Sequence, residues 1–476
     1  MSENKKKRNG ISGALKTFFG IGDLGFSFMT NIETYYFQYF LTDIAKFSVG
    51  FATTIGTVSA IIDAALSWVY GIILDKVKPM KWGRYRSWLI VLPWIVPFLY
   101  AFQFLKVGSG VGAAIIIILG FATSHICWNI PWVANLTMVR VAGKTPEDRA
   151  TLSSSRTTWS SIARVAYSYV GPWVVGIISG WLGEQYGYAG CAFAFGVLMA
   201  VGYFAHFKMF EGYEASGEEE IAQMEAAKAQ RAAEKEAKKA NKGNLGRALA
   251  CNPSLWGLIL ADFTKYVYSF GASAIAIYYF TYVAKDAGLN NTYIFASNLL
   301  GVATAYLSRK FVAKFSARGA MISSYACMAA VCLIAFLFYS NVWVVFIMMC
   351  LAQGFSMLTT ACAPMLYADC CIYSHYKTGT DNTGAIMGLT NLPLKVGVVM
   401  RSIIVGASLA IGGFDPNTTT VENVTPAIQR GISMGFSLIP AIVLAVGLLL
   451  MVFVYRLTKE KVNECSAEIA RREGRA

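Results

Sequence analysis

Residues 211–249 read EGYEASGEEEIAQMEAAKAQRAAEKEAKKANKGNLGRAL. This is the only long polar stretch in a chain of 476 residues that is 56% hydrophobic and 14% charged. A soluble domain carries roughly a quarter charged residues, so the composition excludes a soluble enzyme, a disordered chain and a disulfide-stapled secreted domain. Working outward from the polar stretch, long apolar runs lie on both sides. A membrane-spanning helix needs about 20 mostly apolar residues. By that measure the runs predict spans at 17–44, 48–74, 87–106, 111–139, 153–180 and 187–209 before the stretch. They predict spans at 254–284, 291–312, 319–340, 342–370, 381–413 and 430–456 after it. The runs are continuous and too long for barrel strands, whose residues alternate in polarity. The expected fold class is therefore an all-α membrane protein, with about twelve transmembrane helices in two six-helix halves. The expected organisation is a tail at 1–16, a bundle at 17–210, a linker at 211–249, a second bundle at 250–456 and a tail at 457–476. Glu234 and Lys238, four apart in the linker, favour helix there.

The net charge of +14 is distributed by loop. One set of loops carries Lys76, Lys78, Lys81, Arg84, Arg86, Arg140, Lys144, Arg149, Arg309, Lys310, Lys314 and Arg318. The opposite loops hold little beyond Lys46, Lys106, Lys285 and Arg430. The positive-inside rule then places both termini in the cytoplasm and the protein in the cell inner membrane. Topology accounts for the basic residues, so no nucleic-acid partner is expected. The N-terminal MSENKKKRNG is a basic cap without a cleavable signal peptide. The ten cysteines are scattered through apolar runs, with Cys370 and Cys371 adjacent. No spacing suits a metal, and they read as small buried hydrophobes. No HExxH or phosphate-binding loop is present, so an enzyme is not expected.

Ionisable groups inside spans cost several kcal/mol and are functional candidates by default. The first half offers Asp23, Glu33, Asp63, His125, Arg156 and Arg164; the second offers Asp262, Lys265, Asp369, Lys395 and Arg401. Asp262 and Lys265, three apart, suit a structural ion pair. Asp23, Arg156 and Asp369 fall near expected cytoplasmic ends, where snorkelling or capping satisfies them. Glu33, Asp63 and Lys395 lie in the middle thirds of their spans with no sequence-local partner. Asp63, within SAIIDAALSW, needs a wet cavity, a cation or a basic partner. A carboxylate there can exchange a proton or a metal cation, or it can serve a purely structural pair. His125 and Asn129 share one face of SHICWNIPW. They suit either an interhelical hydrogen bond or a substrate-lining face on which the histidine titrates. Arg156 and Trp159 open the fifth span within SSSRTTWSS, a run suited to close helix packing or to a hydrated wall.

Two halves joined by a cytoplasmic linker resemble the major facilitator architecture, in which the halves rock around a midplane site. Residues 71–76 and the following Gly83-Arg84-Tyr85-Arg86 are similar to that superfamily's loop signature. Asp75 and Arg84 are therefore expected to gate, an acid there meeting a positive helix N-terminus. The segments TYYFQYFLTDIAKFSVG, SAIIDAALSWVYGIILD, MKWGRYRSWLI, NIPW, AIYYFTYV, YADCCIYSHYKTG and LKVG resemble the glycoside–pentoside–hexuronide:cation symporters. The resemblance runs from Gly22 to about Arg456 in the same order. It implies that Asp63 helps to bind the coupling cation, that Lys395 links cation and sugar sites, and that Arg156 contacts sugar.

The departures from that family are also informative. The second acid of the cation site is Ser67, its amide ligand is Leu66 and its threonine is Ile126. Sodium needs several oxygens, whereas a proton needs one titrating group. Proton coupling through Asp63, with Glu33 or His125, is therefore expected, with sodium as the alternative and no cofactor. The sugar-binding acids fall at Ser27 and Asn129, and the family's two tryptophans at Val133 and Thr360. Keeping Arg156 and Lys395 and adding Arg401 makes the expected cavity more positive, which favours a carboxylated solute. Trp132, with Trp128 and Trp159, offers a stacking face. The acids that follow Asp369 in the inner gate become Ile372 and His375, which implies a weaker or differently wired network.

The expected protein is a secondary active transporter of a glycoside, pentoside or hexuronide that works by alternating access. Asp63 has Lys395 as its expected electrostatic partner, and the protein is expected to act as a monomer in the lipid bilayer. The alternatives are an uncoupled facilitator or exchanger, and a carrier of an amphiphilic or carboxylated non-sugar.

Overall fold

The structure is a computed structural model that describes residues 10–67, 69–215, 217, 221, 246, 249–380 and 382–472. At positions 71, 75, 146, 309, 313 and 385 it describes the backbone alone. Most of the linker, including Glu234 and Lys238, lies outside the described residues. The chain folds as two compact units, Met1–Lys228 with Asp415–Thr418, and Ala229–Phe414 with Thr419–Ala476. Among the described residues both are helical, the one bridge being an isolated antiparallel pair at Met80 and Gly83. Each of the twelve expected apolar runs falls on helix, and eight helices are long and apolar enough to cross a membrane.

In the first unit α1 (Gly13–Phe18) is capped by Ser12, whose Oγ accepts the Leu15 N–H at 3.3 Å. The chain breaks at Gly20, where the Trp159 side chain occupies the space a Cβ would need. It continues as α2 (Ile21–Tyr39) and a π turn at Phe40–Ile44. The second expected span divides into α3 (Val49–Leu66) and α4 (Val69–Lys76). The third is shorter than expected: α5 (Trp88–Val91) and α6 (Val96–Phe102) are separated around Pro93, which has no N–H to carry a helix onward. Three long helices complete the unit, α7 (Val111–Ala142), α8 (Pro146–Leu182) and α9 (Glu184–Met209).

The second unit opens with α10 (Pro253–Tyr278), which ends in a π turn at Tyr279–Val283. The eighth and ninth expected spans run together as α11 (Gly288–Leu337), broken at Ser316, where φ is 63° and ψ is 164°. The Ser316 Oγ accepts the Gly319 N–H at 3.2 Å, so the break doubles as a cap for the segment that follows. Then come α12 (Val342–Thr378), α13 (Thr383–Gly388) and α14 (Asn391–Gly412). The last apolar run holds α15 (Pro426–Ser433) and α16 (Ile439–Leu449), each followed by a π turn. The segment read as a C-terminal tail forms α17 (Lys459–Arg472). It buries Val462 and Cys465, and Arg472 donates to the Tyr376 carbonyl at 3.1 Å and lies over that residue's ring.

The contact that positions the site is the crossing of α2 and α9. A Cβ on Gly202 would lie 2.8 Å from the Gly22 Cα, so the two backbones touch. The Gly22 N–H donates to Nε2 of the fully buried His206 at 3.1 Å. That nitrogen therefore carries no proton, and Nδ1–H donates to Asn135 Oδ1 at 2.8 Å. Asn135 is buried in helix by the same bond. Overpacking a filled core costs about 1–3 kcal/mol. Gly202→Ala is expected to cost about that much, read as a lower thermal midpoint in detergent; an unchanged midpoint would show that the crossing is not tight.

Candidate functional site

In the first unit, α2, α3, α6 and α7 bring two carboxylates to one polar chain. Glu33 and Asp63 are each 8% exposed, and His125 and Asn129 are buried between them. One helical turn separates His125 and Asn129, so α7 presents both on one face. Nε2 of His125 lies 3.2 Å from Glu33 Oε2. Its Nδ1 lies 2.9 Å from the Phe121 carbonyl, which can only accept, so Nδ1 carries a hydrogen. The Nε2–Oε2 contact then also needs a hydrogen, held by the imidazole or by the carboxyl group. The pair therefore stores one proton between its two members. Tyr100 on α6 donates to the Met29 carbonyl at 2.9 Å and to Glu33 Oε2 at 3.3 Å. Phe121 stacks on the His125 ring at 3.7 Å between centroids, and Trp128 tilts against its other side.

Asn129 Nδ2 donates to Asp63 Oδ1 at 3.1 Å and to the His125 carbonyl at 2.9 Å. Both partners are acceptors, which fixes the orientation of the amide. A hydrogen-bond donor therefore takes one of the lone pairs of the Asp63 carboxylate. Ser67, expected to help in coupling, donates its hydroxyl to the Ala64 carbonyl at 2.8 Å and closes α3. The sequence identified all four members of this chain of contacts. It missed Tyr100, a lone tyrosine in an apolar run, and it left Glu33 without a partner because α7 is distant in sequence.

A second constellation joins α2 to α8. Arg156 donates from Nε to Asp23 Oδ2 at 2.7 Å and from Nη2 to Asp23 Oδ1 at 2.5 Å. The Asp23 side chain is 4% exposed and that of Arg156 is 12% exposed. This bidentate fork replaces the separate snorkelling expected of the two residues. It also removes Arg156 from the count of uncompensated positive groups, so the expected excess of positive charge fails at this residue. Ser27 exchanges a hydrogen bond with Ser160 at 3.0 Å across the same two helices. Trp132 is partly buried and stacks on Phe26 at 6.0 Å. A cleft of about 550 Å³ is lined by Lys16, Thr151, Ser154, Ser155, Thr158 and Trp159 among others.

The loop after α4 has a partner that sequence reading did not find. Glu214 accepts the backbone N–H of Tyr85 at 2.9 Å and of Arg86 at 2.8 Å. Gly83 is required there. Its φ is +112°, and a Cβ would meet the Glu214 carboxylate. Arg86 donates Nε to the Phe207 carbonyl at 2.7 Å, and its guanidinium lies over the Phe207 ring. Burial pulls the Arg86 guanidinium down from its usual range, and Glu211 and Glu214 act against that shift. Arg84 is buried in the same loop. The Asp75 side chain, the other expected gating group, lies outside the described residues. The acids three apart in EGYE were the available signal for this clasp.

In the second unit Lys265 and Asp262 pair at 2.9 Å on α10, as their spacing suggests, and the ammonium lies over the Tyr266 ring. Arg401 is buried on α14, and Lys395 lies partly exposed near the start of that helix. Asp369 and His375 are partly buried on α12, and the His375 carbonyl accepts the Gly379 N–H that ends it.

Comparison with known proteins places this geometry in a family. The family model described as MFS/sugar transport protein matches residues 18–459. The glucuronide carrier protein homolog of Escherichia coli (strain K12) is 23% identical over 469 residues, which is 96% of this chain and 95% of that one. A putative glycoside/cation symporter of the same organism, YagG, is 22% identical over 95% of this chain and 94% of its own. Among solved structures, a D-xylose–proton symporter superposes with a TM-score of 0.61 over 94% of this chain and 98% of that one, at 13% identity. That likeness establishes the fold. With the family match spanning both units, the chain belongs to the MFS/sugar transport protein family and is a multi-pass membrane transporter, not an enzyme.

Proposed function

We propose that the protein is a proton-coupled symporter of a glycoside-class solute, working by alternating access as a monomer in the cell inner membrane, with both termini in the cytoplasm. The observation that carries this reading is the buried Asp63 with Asn129 donating to it. A carboxylate held in low dielectric by a neutral donor changes state by taking a proton. Ser67, Leu66 and Ile126 stand where the resemblance implies further cation ligands, which supports the proton over sodium. Protonation removes a negative charge from α3 and weakens its charge-assisted bond to α7, worth about 1.5–3 kcal/mol. A proton shifts the conformational equilibrium only by its differential affinity for the two states, and this bond is where that difference would arise. Arg156, Trp159, Ser27 and Trp132 are the proposed substrate-side groups in this unit. The relatives named as glycoside and glucuronide carriers support the solute class. The cleft lined by Trp159 lies within the roughly 300–1,000 Å³ usual for small-solute sites.

The test uses proteoliposomes with a pH dye inside. Adding the transported glycoside outside should acidify the lumen with and without sodium, and an uncoupler should abolish the signal. Solute uptake with no pH change in either medium would reject proton coupling.

A further inference from the structure

We infer that Asp23 sets the charge class of the solute; this rests on the proposed placement of Arg156 beside the substrate. An arginine fork is the side chain best matched to a carboxylate. In this protein that fork is already filled. Nε and Nη2 of Arg156 both end on Asp23, whose carboxylate is almost completely enclosed between α2 and α8. The Gly22–His206 contact holds the α2 backbone one residue before Asp23, so the carboxylate cannot readily withdraw. Ser27, one turn farther along α2, adds only a hydroxyl, itself bonded to Ser160. The Arg156 site is therefore neutral in sum. Nη1, which has no part in the Asp23 contacts, remains suited to a sugar hydroxyl or ring oxygen. A hexuronide would have to bring its carboxylate against Asp23 or displace it. The site thus selects an uncharged glycosyl unit, and Asp23 acts as the internal stand-in for a substrate carboxylate.

The experiment compares two probes that differ only at C6, 4-nitrophenyl β-glucoside and 4-nitrophenyl β-glucuronide. Binding to detergent-solubilised protein and inhibition of uptake are both read. Wild type should prefer the glucoside. Asp23→Asn frees the fork, and the ratio should move toward the glucuronide by about ten- to a hundredfold, the range for a bidentate charge-assisted contact. Asp23→Asn/Arg156→Gln, neutral throughout, should not make that gain. Should Asp23→Asn fail to fold, Asp23→Glu keeps the charge and loosens the fit, and a shift of a few-fold in the same direction is expected. An unchanged ratio in folded variants overturns the assignment, as does a wild-type preference for the glucuronide or the same gain in the double variant. If wild type binds neither probe but Asp23→Asn binds the glucuronide, the glycoside reading falls while the role of Asp23 stands. If neither protein binds either probe, both fall.

Discussion

Proteoliposomes carrying Asp63→Asn will equilibrate the solute but will not concentrate it in response to a pH gradient. One pH unit corresponds to 1.36 kcal/mol, a tenfold gradient. With an inside-alkaline gradient of about two units, wild type cotransporting one proton per solute should therefore reach roughly a hundredfold accumulation. The variant should stay near equality. The substitution isolates the proton because an asparagine oxygen can still accept from Asn129 Nδ2, which keeps the α3–α7 contact. Counterflow of labelled solute should persist. Glu33→Gln should retain pH-driven accumulation, since the amide can still accept from Tyr100 and meet His125. Accumulation by the Asp63 variant equal to that of wild type would remove Asp63 from the coupling step.

The second large effect is on stability. Arg156→Gln leaves Asp23 buried with its fork gone, and breaking a buried pair from one side costs about 3–5 kcal/mol. The energy arises from the orphaned charge and not from the lost attraction. Removing both charges in Asp23→Asn/Arg156→Gln should therefore recover most of the loss. Thermal midpoints of the purified single and double variants measure this as a double-mutant cycle. A double variant whose loss equals the sum of the two single losses would show that the two sites do not interact, contrary to the geometry.

The architecture was legible because hydrophobic run length is a local property. Each apolar run lies on helix, and the places where runs subdivide have local causes. Pro93 interrupts the third run, and Gly20 yields to Trp159. The first of these signals was in the sequence; the second came from a helix more than 130 residues away. The candidate site was legible only in part, for the same reason. Glu33, Asp63, His125 and Asn129 stood out because charge and amide groups are costly in an apolar run. Their pairing did not, because it depends on which faces of α2, α3 and α7 meet. The Asp23–Arg156 fork is the clearest example. Read singly, each residue suited a helix end, and the count of free positive groups came out too high. Glu214 was hidden differently, since in a polar stretch the two acids of EGYE do not stand out as backbone acceptors. The α17 helix was also missed, because a short charged tail gives little apolar contrast beyond Val462 and Cys465.

The most direct test of proton coupling is a reversal measurement on wild-type proteoliposomes. Solute is loaded at a fixed inside-to-outside ratio, the pH difference is varied with voltage clamped at zero, and the direction of net solute flux is recorded. Cotransport of one proton per solute predicts that flux stops when a tenfold inside excess of solute is balanced by one pH unit alkaline inside. It predicts the same reversal point with and without sodium. Flux that reverses only at equal solute concentrations, whatever the pH difference, would contradict the account.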